Sequence, residues 1–151
     1  MDKMKLGIAA DHGGYLLKEK LLKKLVSSGY ATQDFGAFAL NDTDDYPDFV
    51  VPLAEAVASG VIDRGIAICG SGVGASIAAN KIRGVRAALV HDTFSAHQGV
   101  EDDNMNLICL GGRVVGENLA AEVIENFLKA NFTHAERHLR RLKKVTEIEE
   151  R

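Results

Sequence analysis

The stretch Gly65-Ile66-Ala67-Ile68-Cys69-Gly70-Ser71-Gly72-Val73-Gly74 settles how the rest of the chain is read. Its first five residues form a short apolar run, as expected of a strand buried on both faces, and the glycines after Cys69 end it abruptly. A helical pattern follows to about Lys81. Short strands alternating with helical patterns recur in both directions. Toward the amino end, residues 5–10 are a compact apolar run that stops at Asp11-His12-Gly13-Gly14. Leu17, Leu21, Leu22, Leu25 and Val26 then recur at helical spacing, and Gly29 suits the position just past a helix end. Residues 31–35 read as a weaker strand, 41–48 as an acidic loop, and Pro47 as the first turn of a helix reaching about Ser59. Toward the carboxyl end, strands are predicted over 85–90 and 106–110, with a helical turn around 95–100 between them. An amphipathic helix over 116–130 and a strongly charged one over 135–150 complete the chain.

Short apolar strands alternating with helices of 10–15 residues require crossovers, which give a parallel sheet covered on both faces. The expected fold class is therefore α/β, with residues 1–151 as one domain, since no repeat, linker or low-complexity tract divides them. Ligands of such sheets bind beyond the carboxyl ends of the strands. Attention therefore falls on Asp11-His12, on Cys69 to Gly74, on His91-Asp92 and on Gly111 to Arg113.

The composition narrows the classes. Eighteen basic residues against twenty-one acidic ones leave a net charge of −3, which disfavours a general nucleic-acid surface. No run approaches the ~18 apolar residues of a membrane span. The charged first residues run straight into a strand, leaving no room for a signal peptide core. Two cysteines are too few for a disulfide framework. These features fit a cytoplasmic protein.

Residues 69–74 place free amide groups and backbone of wide conformational freedom at a helix start, where anionic oxygen is favoured, or else form a tight turn that binds nothing. No Gly-Lys-Ser/Thr follows, so this is not a Walker loop. A dinucleotide fingerprint is the rival: the spacing is G-x-G-x-G, and Asp92 stands about 20 residues on after another strand, as that fingerprint asks. Cys69, at the head of a helix, should have a lowered pKa if it is reactive, whereas Cys109 reads as an inert core residue. Asp11-His12 suits proton transfer or anion binding, or is a polar turn in which Asp11 caps the next helix. The five histidines form no strong ligand pattern; His134 and His138 are an i, i+4 pair in a basic stretch that repels a cation. Arg137 and Arg141 share one helix face and could clamp a phosphate, or belong to a solvated surface.

Taken jointly, Ala10-Asp11-His12-Gly13-Gly14, Asp45-Tyr46-Pro47, Cys69 to Gly74, Ile77 to Lys81, Gly84-Val-Arg-Ala87, Gly111 to Gly116 and Arg137 to Arg141 are similar to the motifs of the type B ribose-5-phosphate isomerases and galactose-6-phosphate isomerase subunits. The resemblance spans nearly the whole chain. It implies a Rossmann-like three-layer sandwich with strand order 2-1-3-4-5, and an aldose–ketose isomerase of phosphorylated sugars without metal or cofactor. It also implies homodimers or tetramers with active sites shared between subunits. Carried over, Cys69 is the base acting between C1 and C2. Ser71 and the amides of Gly70, Gly72 and Gly74 stabilise the enediolate. Asp11 and Tyr46 contact sugar oxygens, and His12, Arg113, Arg137 and Arg141 hold the phosphate. Related enzymes with a Glu base carry it where this chain has Ala75, which favours the cysteine.

The chain departs from that pattern at one place. Asp102 stands where the family usually has a ring-opening His, and Asp103 where it has an Asn placed at the substrate. Either His91, His97 or Asp102 opens the sugar ring, or the substrate is a phosphosugar such as a tetrulose 4-phosphate that has no ring. The implied strand order also separates Cys69 from Cys109 by one strand, roughly 10 Å, so both should be free thiols.

Overall fold

The computed structural model describes residues 3–151. Among these, strands β1 (Lys5–Ala10), β2 (Ala31–Asp34), β3 (Arg64–Cys69), β4 (Ala87–Leu89) and β5 (Leu107–Gly111) alternate with helices α1 (Tyr15–Ser27), α2 (Pro47–Ala58), α3 (Val73–Ala79), α4 (Thr93–Asp103) and α5 (Glu117–Lys129), and α6 (Glu136–Glu149) ends the chain. All strand pairs are parallel. Side-chain alternation along the strands divides the interior in two. Ile8, Ile66, Ile68, Ile108 and Leu110 point into one core with α1, α4 and α5. Ala9, Ala67, Cys69 and Cys109 point into the other with α2 and α3. That second face is built from small residues, which lets α2 and α3 approach closely: a side chain at Gly7 would meet Leu53 Cδ1 at 2.5 Å.

The α/β class and the five-stranded parallel sheet agree with the expectation, and every predicted element is present. The sheet order is β2-β1-β3-β5-β4, so the last two strands are exchanged relative to the expected 2-1-3-4-5. Burial explains the exchange. Every residue of β5 is buried, as a central strand covered on both faces must be, whereas β4 has three residues and is half-exposed, as an edge strand tolerates. The outward-facing groups of β4 are partly closed off. The Asn80 side chain, at the end of α3, donates to Ala87 O and accepts from Ala87 N–H, both at 2.9 Å.

The exchange also corrects the separation of the cysteines, which now lie on neighbouring strands. Ala67 pairs with Cys109 and Cys69 with Gly111, a stagger of two residues on one face. One strand spacing and two residues of rise give roughly 8 Å, still beyond the ~7 Å limit of a disulfide. Both thiols are free and buried. Burial, followed by the neighbouring Cys69, pushes the Cys109 thiol far up and keeps it protonated.

Candidate active site

Three strand ends meet around Cys69. Gly112 N–H donates to Cys69 O at 2.8 Å and Arg113 N–H to Gly70 O at 3.0 Å, which ties the end of β5 to the loop after β3. The same link brings the Arg113 guanidinium against Gly70, where Nη1 would lie 3.4 Å from an added Cβ. Gly72 has a φ of 81° and packs so tightly against Leu110 and Leu89 that no side chain fits there. From β1, Gly13 approaches closely enough that its Cβ would meet Gly70 N at 2.7 Å. From α2, the Tyr46 ring lies over Gly74, with Cζ at 2.7 Å from an added Cβ. The glycines are thus where they let Tyr46, Arg113 and the turn after Asp11 pack against the loop that follows Cys69. Among the described residues, the amide N–H groups of Ser71, Gly72 and Gly74 find no acceptor, while Val73 N–H uses Ser71 Oγ.

Asp11 is buried at the end of β1. It does not cap α1 with its side chain; its Oδ1 accepts from Gly13 N–H at 2.9 Å, bending the chain into the helix. His12 turns the other way and meets Asp44, with Nδ1 2.7 Å from Oδ1. That contact raises the His12 pKa above 6.5, with smaller contributions from the charges of Asp11, Asp44 and Asp42, against the opposing cost of desolvation. Asp11, His12 and Asp44 are the one group among the described residues that could offer three ligand atoms to a metal, all within 4.8 Å of one another. His12 and Asp44 are bonded to each other, while the Asp11 side chain accepts from Gly13 N–H.

Asp44 and Lys18 are absent from the sequence reading. Lys18 is fully buried, and its ammonium bonds to both oxygens of Asp34 at 2.9 Å and to Ala37 O at 2.7 Å. Ala37 N–H in turn donates to Ala10 O, next to Asp11. Lys18 therefore anchors the loop that carries Asp44 and Tyr46 to the strand that carries Asp11.

The remaining predicted residues lie elsewhere. Asp102 and Asp103 occupy the last turn of α4, which leads into the start of β5, whereas Cys69 lies at the carboxyl end of β3. Asp102 accepts from Gln98 Nε2 at 2.6 Å and sits 3.4 Å from Nε2 of His138 on α6. Asp103 borders a crevice of about 450 Å³ between β4 and α6. Arg137 and Arg141, on either side of the buried His138, are exposed. Through His138, α6 is therefore tied to the amino end of β5, whereas Cys69 lies at the carboxyl end of the neighbouring β3, at the opposite end of the sheet.

Three further residues have local explanations. His91 Nε2 accepts from Gly111 N–H at 3.0 Å, placing this imidazole beside the cysteine loop. His97 is turned to Glu101 at 3.1 Å. Asp92, which a dinucleotide site would use to hold a ribose, caps α4 by accepting from Ser95 N–H at 2.7 Å, and that bond lowers its pKa.

The family model described as Ribose/Galactose Isomerase matches residues 6–145. The structure of ribose-5-phosphate isomerase B from Clostridium thermocellum is 48% identical with a TM-score of 0.93, covering 97% of this chain and 98% of that one. The Mycoplasma genitalium ribose-5-phosphate isomerase B, solved with bound ribulose 5-phosphate, is 38% identical with a TM-score of 0.93 and 99% coverage of both chains. D-erythrulose-4-phosphate isomerase 2 of Mycolicibacterium smegmatis is 39% identical over 85% of this chain and 86% of its own length. No helix among the described residues is long and apolar enough to cross a membrane. Through its matched length and this shared architecture, the chain belongs to the ribose/galactose isomerase family.

Proposed function

We propose that this protein interconverts ribose 5-phosphate and ribulose 5-phosphate through an enediolate, with Cys69 as the base. The observation that carries the reading is the buried Cys69 thiol set beside the unpaired amides of Ser71, Gly72 and Gly74 and ringed by Asp11, Tyr46 and Arg113. Moving a proton beside a carbonyl needs a base at carbon and fixed donors where the oxyanion develops. Cys69 supplies the first, and the amides with Ser71 Oγ supply the second. His12 and Arg113 receive the phosphate at the near rim of the site. No cofactor enters this scheme. The two unpaired, buried cysteines fit a reducing compartment such as the cytoplasm.

The substrate reading turns on ring opening. Asp102 is committed to Gln98 and His138, so it is poorly placed to protonate a ring oxygen, which favours an open-chain substrate such as a tetrulose 4-phosphate. His91 is the group that keeps the pentose reading first, because it reaches the same strand end as Cys69. A panel of four-, five- and six-carbon aldose phosphates compared by kcat/KM decides the matter, with ribose 5-phosphate expected to lead. A tetrose phosphate turned over faster than the pentose would transfer the assignment, and no turnover of any phosphosugar would end it.

The arginine helix completes the site from a second copy of the chain. The separation of Arg137 and Arg141 from Cys69 within one protomer supports this, as does an apolar rim of Val73, Ile77, Leu89 and Phe94 left exposed near the cysteine loop. Two inactive variants, Cys69→Ala and Arg137→Ala/Arg141→Ala, should therefore complement. Co-refolded in equal amounts, they should recover about a quarter of wild-type activity, because half the dimers are mixed and each mixed dimer holds one intact site. No recovery would place cysteine and arginines in the same subunit.

A further inference from the structure

His12 makes two bonds to a single oxygen. Its backbone N–H donates to Asp44 Oδ1 at 2.9 Å, and its ring Nδ1 lies 2.7 Å from the same atom. The other oxygen, Asp44 Oδ2, is closed off from solvent and has no partner among the described residues. The Asp44 side chain as a whole is 8% exposed. A carboxylate buried in this way, with half its acceptor capacity unused, is costly unless a full positive charge lies against it. Among the described residues the His12 imidazole is the one basic group within ion-pair distance of Asp44. The other charged groups facing His12 are acidic: Asp11 from the end of β1 and Asp42 from the loop between β2 and α2. Arg113, which shares the phosphate with His12 in the proposed site, lies against Gly70.

We infer that Asp44 is a positioning residue, which holds His12 as an imidazolium with Nδ1–H committed to the carboxylate and Nε2–H left for a phosphate oxygen of the substrate. This rests on the isomerase reading above. The arrangement resembles the carboxylate–imidazole pairs that fix a histidine's orientation and stabilise its charged form. It fixes which ring nitrogen faces the substrate. It also keeps the donor charged to a higher pH than an ordinary histidine would reach, which extends the grip on phosphate upward in pH.

The test uses the full-length protein and Asp44→Asn, with Asp44→Ser as a second uncharged variant should the first fold poorly. The His12 ring titration, assigned by the signal lost in His12→Asn, is followed by NMR. In the wild type its midpoint should lie above 6.5, and in the Asp44 variants it should fall toward that value. In the same variants, KM for ribose 5-phosphate should climb with pH earlier and more steeply than in the wild type, the gap between them reaching about tenfold by about pH 8. An unmoved His12 midpoint, or a KM raised equally at every pH, would show that Asp44 only braces the fold. Failure of the isomerase reading is separable from failure of this one. Inorganic phosphate, titrated against the His12 signal, should bind the wild type about tenfold more tightly than the variant at about pH 8 whether or not any sugar is turned over. Equal phosphate affinity in the two proteins would overturn the inference by itself.

Discussion

Replacing Cys69 with alanine is expected to lower kcat/KM by about 10²–10⁴-fold, the usual contribution of a general base, while leaving the fold intact. The thiol sits at the end of β3 against α3, in a core face made of alanines and cysteines, so an alanine there adds no bulk and leaves a space of one sulfur atom. The donors that would hold an oxyanion are backbone amides and Ser71, and none depends on the Cys69 side chain. Substrate affinity should change far less than turnover. Exchange of the substrate's carbon-bound proton with solvent should vanish in step with isomerisation, because both require the same base. Activity within a few-fold of wild type would remove Cys69 from that role. Cys109→Ala is the matched control: this second thiol is fully buried one strand away, is held protonated by its surroundings, and should cost stability without touching turnover.

The second large effect is thermodynamic. Lys18→Met removes the positive end of a fully buried side chain whose ammonium bonds to Asp34, to Ala37 O and to Glu19 at 3.0 Å. Deleting one member of a buried ion pair costs about 3–5 kcal/mol, because the partner charge is left uncompensated. In a protein of this size that corresponds to a fall in Tm of about 10 °C, measurable by calorimetry or thermal CD. The double variant Lys18→Met/Asp34→Asn should recover most of the loss, since it removes the stranded Asp34 carboxylate, keeps an acceptor for Gly36 N–H and leaves only Glu19, which is exposed to solvent. If the double variant is no more stable than the single one, the penalty comes from somewhere other than the stranded carboxylate. A destabilised loop would also loosen Tyr46 and Asp44, so the single variant should lose activity well below its melting point.

Local signals in the sequence sufficed for the strand–helix alternation, because β1, β3 and β5 end at glycine-containing turns and helices such as α1 and α5 carry their own apolar stripes. The cluster around Cys69 was legible for a related reason: its members lie immediately after strands, and the sheet brings strand ends together. The order of β4 and β5 was not, since it depends on which strand is covered on both faces, a property of the assembled layers. The apolar character of residues 107–111 against the short, mixed run at 87–89 was the available clue. Lys18 occupies the same helical stripe as Leu21 and Leu25, yet a lysine there is ordinarily taken for a surface residue; its partner Asp34 is sixteen residues away. Asp44 is one of several aspartates in an acidic loop, and only its contact with His12, thirty-two residues away, sets it apart. Asp102 was noticed as a departure, but its engagement with His138 required the packing of α6 against α4.

The bonds between Asn80 and Ala87 have a consequence for how copies of this chain can meet. An edge strand with free N–H and C=O groups is a template on which another strand can build, the route to continuous sheets and, at worst, to fibrils. Here a side-chain amide imitates the missing neighbour and occupies both groups of one residue in a three-residue strand. Extending the sheet from one molecule into the next is thereby discouraged at this edge. At this edge, contact between copies of the chain would have to run through helices and side chains, the kind of contact that the proposed sharing of an arginine-bearing helix requires.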